Sequence, residues 1–238
     1  MEILKKYDCF INYEDQFDST FLNAKYRFMV MKYYEHSDLF NYTFSNPKIN
    51  DLQHQEICQI VYQILQILQI LKEKRIVHHD IKLENILIIS KSPLKIILTD
   101  FEYEEQLEIN QKAKICDATL YIRAPEILKN QLHDMSSDMW SVGIITFLLL
   151  FGYNPFLIDL QCECPKALLD MIEYNEIFDD EINLIGIPNE AIECVLSMLK
   201  IDPSERITVE EALELDWFKG MNNVENNHLF ETIKKKKK

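Results

Sequence analysis

The chain has 238 residues, is 47% apolar and carries a formal net charge of −14. That length and composition can bury one large core. The acidic balance is the wrong sign for a protein that grips nucleic acid through a basic face, and the apolar stretch Ile144–Phe151 is far short of the ~20 residues that a membrane span needs. The chain opens without a signal-like segment, and its six cysteines are scattered. Both features point to reduced thiols in an intracellular compartment, cytoplasmic or nuclear. Cys162-Glu163-Cys164 is the one close pair, and no second pair or histidine cluster stands beside it to complete a four-ligand zinc site.

In chain order, the first strand signal is the aromatic-rich run Tyr26–Tyr34. From Leu52 to Lys74 the residues Ile57, Ile60, Val61, Ile64, Leu65, Leu68 and Leu71 recur at three and four, which predicts a long amphipathic helix with its glutamines mostly on the outer face. Ile86–Ile89 and Leu94–Leu98 read as two strands of a hairpin turned by Ser90-Lys91-Ser92-Pro93. An acidic, irregular stretch follows, Glu102 to Asp117. Helices are expected over Ser137–Phe151, Lys166–Asn175, Asn189–Leu199 and Val209–Leu215, separated by turns such as Asn154-Pro155 and Asp202-Pro203. The end, Lys234–Lys238, reads as a solvated lysine run. There are only four glycines, at Gly143, Gly152, Gly186 and Gly220, so the first half holds no Gly-x-Gly phosphate loop.

Chemistry concentrates in Val77–Leu87 (VHHDIKLENIL) and Thr99–Glu102 (TDFE). Phosphoryl transfer needs a carboxylate to orient the attacking hydroxyl, a cation near the moving phosphate and oxygen ligands for Mg²⁺. Asp80, Lys82, Asn85 and Asp100 supply those types within one short stretch. Their Asp-x-Lys-x-x-Asn spacing, the apolar strand after it, Asp100-Phe101 and then Ala124-Pro125-Glu126 resemble the protein-kinase signature set. From about Ile3 to Lys219 the chain is similar to eukaryotic-type Ser/Thr protein kinases. Asp138-Met139-Trp140-Ser141 and the compact spacing look most like the calcium/calmodulin-dependent group.

The resemblance implies an α+β fold of the protein-kinase type, a mainly helical C-lobe with a remnant of the β-rich N-lobe and a hinge. The boundaries would be 1–31 for the remnant (Ile3–Lys6 resembling the end of a helix, then strands), 32–38 for the hinge, 39–220 for the C-lobe and 221–238 for a polar tail. It implies that Asp80 is the catalytic base, that Lys82 contacts the γ-phosphate and that Thr119 bonds the base and shapes the substrate groove. Asn85 and Asp100 would hold Mg²⁺. ATP would lie on Met31 at the gatekeeper position, the backbones of Lys32 and Tyr34, Asp38 at the ribose and Leu87 under the adenine. Asp138 would hold the catalytic-loop backbone, and Glu126 would pair with Arg206. The expected partner is a protein substrate presenting Ser or Thr, with neither nucleic acid nor membrane involved; the oligomeric state is not legible.

Departures from the pattern point two ways. The glycine loop and the lysine–glutamate pair that grip ATP phosphates have no counterpart. His79 stands where such kinases place an arginine, Glu102 replaces the glycine after Asp100-Phe101, and Glu104–Ala118 contains no Ser, Thr or Tyr to accept a phosphate. An active Ser/Thr kinase whose N-lobe is missing from this sequence is one expectation. A pseudokinase acting as a protein-binding module is the other. In an active enzyme, Asp80→Asn should abolish transfer with little loss of stability.

Overall fold

The computed structural model of the chain describes residues 2–4, 6–21, 24–44, 52–109, 111–113, 119–156, 164–174, 177 and 186–221. The lysine run and the Cys162-Glu163-Cys164 pair fall mainly outside this set. Glu2–Leu4 makes one 3-10 turn where the sequence suggests the end of a helix; Leu4 drives into the core at 1% exposure. The chain then passes beside the central sheet, where Leu98 N–H donates to the Cys9 carbonyl and Ile11 N–H to the Leu98 carbonyl, both at 3.0 Å.

Strands β1 (Tyr13–Phe21) and β2 (Ala24–Met31) form an antiparallel hairpin. Phe17 stacks on its cross-strand partner Phe28, ring centroids 5.2 Å apart, and Asp18 is ion-paired with Arg27 opposite it. These cross-strand pairs hold a ribbon whose two faces are both largely exposed. Strand β2 ends at Met31, before the Tyr34 suggested by the sequence.

After the short β3 (His36–Asp38) and α1 (Leu39–Phe44) comes α2 (His54–Glu73), with β4 (Ile76–Val77) close behind. Helix α2 is buried almost all round, and here the expected pattern fails. Gln63 and Gln66 are 2% and 4% exposed, not outward-facing. Gln63 is accommodated because its Nε2 donates to the Leu94 carbonyl and its Oε1 accepts from Ile96 N–H, each at 3.1 Å. The hairpin β5 (Ile86–Lys91) and β6 (Leu94–Leu98) turns at Ser92-Pro93, through a cis peptide. Strand β3 pairs with β5 on the other side, and β7 (Glu105–Gln106) pairs back with β4.

The remaining described elements are α3 (Pro125–Leu128), α4 (Ser136–Phe151), α5 (Pro165–Tyr174), α6 (Asn189–Met198) and α7 (Val209–Leu213). Gly152 ends α4 in a left-handed conformation, φ +82°, with its N–H bonded to the Leu148 carbonyl at 2.9 Å. The main core joins α2, the β5–β6 hairpin and α4, and a second cluster around Trp140, Phe147 and Phe156 fills the space toward α5 and α6. Gly143 sits where α4 crosses α6. A Cβ there would stand 2.7 Å from Leu199 Cδ2 and 2.9 Å from Met198 Cβ. Gly143→Ala is therefore expected to lose stability by on the order of 1 kcal/mol net, overpacking outweighing the helix propensity it gains. Urea denaturation reads the shift; an unmoved midpoint would show that Leu199 and Met198 yield freely.

Candidate active site

The catalytic-type residues are placed from the core outward. Asp138, in the first turn of α4, is fully buried, and its two oxygens accept the N–H groups of His78 at 2.8 Å and His79 at 2.9 Å. Burial pushes its pKa up to about 6 against the pull of those two bonds. With this support His79 adopts a left-handed conformation, φ +71°, unusual for a non-glycine residue, and the chain turns Asp80 toward Thr119.

Asp80 is 2% exposed and accepts from Thr119 N–H at 3.1 Å, Asn85 Nδ2 at 3.0 Å and Lys82 Nζ at 2.8 Å. Burial raises its pKa, but the hydrogen bonds from Lys82 and Thr119 outweigh that and hold the carboxyl below its usual range. It is an anion at neutral pH. Lys82 also donates to Thr119 Oγ1 at 2.7 Å, so Asp80, Lys82, Asn85 and Thr119 form one bonded cluster. Asn85 spends its Nδ2 on the carbonyl and the carboxylate of Asp80, which leaves Oδ1 as its acceptor. Its own carbonyl accepts from Thr99 N–H and Oγ1 at 2.9 and 3.2 Å, which ties the end of β6, and hence Asp100, to the same loop. Asp100 is exposed, with φ +60°. Glu102 is not among the positive-φ residues, so a side chain is borne there without that strain.

Phe101 lies edge-on between His78, centroids 4.6 Å apart, and Phe10, 5.7 Å apart. His78 Nδ1 accepts from Asp80 N–H at 3.3 Å, so its proton sits on Nε2, which donates to the Thr99 carbonyl at 3.1 Å. Burial pushes its pKa down to about 4, keeping the ring neutral. This column runs from the N-terminal segment into the loop that carries Asp80. Sequence reading missed Phe10 and His78 as its members, because nothing in their spacing announces a contact between distant segments.

Asp38 and Leu87, both expected to meet a nucleotide, are cross-strand partners in the β3–β5 pairing. Asp38 also caps α1, accepting from Asn41 N–H at 2.8 Å and Nδ2 at 2.6 Å. Burial raises its pKa, and those bonds outweigh it and lower it overall. Met31, Lys32 and Tyr34 stand apart at and just beyond the end of β2; Met31 is 45% exposed, and Lys32 Nζ lies 5.3 Å from the Tyr34 ring centre. Below the cluster, Tyr121 OH donates to Glu84 Oε1 at 2.8 Å. Arg206 grips Glu126 at 2.8 and 3.0 Å, with both side chains buried.

A cavity of about 510 Å³ lies elsewhere, lined by residues such as Val77, Leu107, Met139 and Val209 and by none of the cluster. Lys72, Arg75, Asp134 and Arg206 also line it, but none of the residues that the sequence singles out for chemistry does. Among the described residues no helix is long and apolar enough to cross a membrane, and no three His, Cys, Asp or Glu side chains gather to hold a metal by themselves. Mg²⁺ does not need such a group: one or two protein oxygens together with substrate phosphates suffice.

A sequence model of the family described as "Protein kinase domain" matches residues 2–218. The chain is similar to the calcium/calmodulin-dependent protein kinase cmkA of Emericella nidulans, 33% identical over 168 residues that make up 68% of this chain and 39% of that protein. It is also similar to the calcium/calmodulin-dependent protein kinase of Metarhizium anisopliae, 32% identical over 72% of this chain and 44% of the relative. MAP kinase-activated protein kinase 2 of Drosophila melanogaster is 25% identical over 90% of this chain and 60% of its own length. The chain thus spans from about two-fifths to three-fifths of these relatives.

Proposed function

This chain belongs to the protein kinase domain family, and on that premise we propose that it transfers the γ-phosphoryl group of Mg-ATP to a serine or threonine hydroxyl of a protein substrate. The observation that carries this reading is the bonded cluster of Asp80, Lys82, Asn85 and Thr119, held from beneath by Asp138. Enzymes of this class do little covalent work and act by positioning and charge stabilisation. Asp80, an anion with rigid partners, orients the incoming hydroxyl. The hydroxyl oxygen bonds to the γ-phosphorus, the bond from that phosphorus to the bridging oxygen breaks, ADP leaves with the electron pair, and the hydroxyl proton passes to Asp80. Lys82 places a positive charge beside the reacting oxygens. Thr119 aligns Lys82 and Asp80 from the substrate side.

Asn85 and Asp100 are hard oxygen donors brought onto one loop through the Thr99–Asn85 bonds, a donor set that suits Mg²⁺. When bound, the ion would neutralise phosphate charge; the two residues hold and orient it. For the nucleotide we assign Asp38 and Leu87 to the ribose and adenine, and the backbones of Lys32 and Tyr34, beyond Met31, to the adenine edge. The corresponding division of the chain is an N-lobe part at 1–31, a hinge at 32–38, a C-lobe at 39–220 and a tail. We infer an intracellular setting, in keeping with scattered cysteines that would stay reduced there.

A second reading, a non-catalytic binding module, is favoured by one observation. The β1–β2 ribbon leaves Phe17, Phe28, Met29 and Met31 each at least 42% exposed. Protein isolated at its native length decides between the readings. A kinase is expected to gain about 2.7 kcal/mol of stability at a hundredfold excess of Mg-ATP over Kd and to label peptides on Ser or Thr. The absence of both stabilisation and labelling would sink the catalytic reading in favour of the binding module.

A further inference from the structure

His79 and His133 face each other across the site, 5% and 2% exposed, with ring centroids 5.0 Å apart. His79 Nδ1 lies 2.8 Å from the Tyr103 carbonyl, the two Nε2 atoms are 3.1 Å apart, and His133 Nδ1 lies 3.2 Å from the Gln131 carbonyl. The backbone of His133 pairs with Ala113 in both directions, at 2.7 and 3.3 Å. The two residues therefore reach both ends of the stretch from Tyr103 to Ala113, whose middle is held by the pairing of β7 with β4. We propose that His79 and His133 are positioning residues: a two-imidazole clamp that fastens the segment after Asp100 to the catalytic loop, and that opens when both rings are protonated.

Proton counting supports the second half of this statement. The chain from carbonyl to carbonyl has three links, and its two outer acceptors can only receive N–H groups. A neutral pair supplies two hydrogens, enough for the Tyr103 and inter-ring bonds. A singly protonated pair supplies three and satisfies every link. A doubly protonated pair sets N–H against N–H across the 3.1 Å gap, with like charges repelling. The clamp thus accepts one proton and refuses the second.

The surroundings set the sign. Glu105 of β7 faces His79, while Glu126 of α3 and Asp138 of α4 face His133, and His78 lies beside His79 in the loop. Burial pulls both rings below the usual histidine value, outweighing the carbonyls and carboxylates that pull upward. Released rings recover the ordinary value near 6.5, so opening takes up protons. The closed clamp is favoured above that value and is lost as the pH falls through the depressed ones. Residues 104–118 contain no hydroxyl side chain to phosphorylate, and the clamp grips Tyr103 and Ala113 without one. The consequence for phosphotransfer rests on the proposed function; the clamp itself does not.

The test uses the whole chain with nitrogen-15-labelled histidine, titrated from neutral to mildly acidic pH. The rings of His79 and His133 are expected to titrate as one coupled pair in two separate steps, and His133→Gln should leave His79 with a single step. Amide protection at Leu107 and Ala113, corrected for intrinsic exchange, should fall by about tenfold per pH unit over the second step. Two independent titrations at the ordinary histidine value in the wild type, or protection that ignores pH after correction, would overturn the clamp. The wild-type spectra decide even if the variant does not fold. No nucleotide is needed, so an inactive protein with a coupled pair rejects the kinase reading alone, and an active protein with uncoupled rings rejects the clamp alone.

Discussion

Asp80→Asn is expected to lower phosphotransfer about 100- to 10,000-fold, the usual worth of a positioned acid–base group. The asparagine keeps the shape but not the charge, and it cannot take the hydroxyl proton. The structure also changes the expectation for stability. The sequence suggests a loop residue that could be altered at little thermodynamic cost, yet Asp80 accepts from Thr119, Asn85 and Lys82 at once. An asparagine amide would turn its NH₂ toward at least one of those donors, and a cost of about 1–3 kcal/mol follows. Rates should therefore be compared per folded molecule, with melting followed on the same samples. Transfer retained within a factor of about three, far outside the range above, would remove Asp80 from the chemistry.

The second large effect concerns the buried ion pair. Arg206 is 0% and Glu126 2% exposed at the side chain. The guanidinium also donates to the carbonyls of Ser136 and Lys200, and lies 5.2 Å from the Trp140 ring centre. Glu126→Ala would leave this buried cation without a counter-charge, with backbone carbonyls as its remaining acceptors, for a loss of about 3–5 kcal/mol. Glu126→Gln, which keeps one acceptor, should lose less. Urea denaturation at matched m-values measures both. A cost below about 1 kcal/mol for the alanine variant would mean that the pair is solvated, as surface pairs are. Glu126 lies a few residues beyond Thr119, so the pair also anchors the stretch that supplies Asp80 with one of its donors.

What the sequence made legible follows from the range of each signal. Helix α4 begins within one residue of its expected start and ends where expected, because Gly152 supplies the left-handed stop that a side chain would resist. The capping box of Thr208 and Glu211 similarly marks the start of α7. Strand β1 was not recognisable: Glu14-Asp15-Gln16 and Asp18-Ser19-Thr20 are polar because both faces of the ribbon meet solvent, and no apolar alternation survives. Gln63 misled, since a helical period cannot tell that a buried amide will meet a strand. The types and spacing of Asp80, Lys82, Asn85 and Asp100 were readable on a single stretch, whereas His133 was not. Its neighbour in space, His79, is far away in the chain, and a lone histidine carries no spacing at all.

The arrangement around β6 has a consequence for association. Strand β6 bonds to β5 along one side, and along the other its polar groups are taken up by Cys9 and Ile11 at one end and by the amide of Gln63 at the other. A bare strand edge invites a strand from another molecule and is a common route to aggregation. Here a passing segment and one helix side chain do the work of a terminal strand. The sheet is thereby finished on that side, and an incoming chain would have to displace a packed helix before it could template on β6.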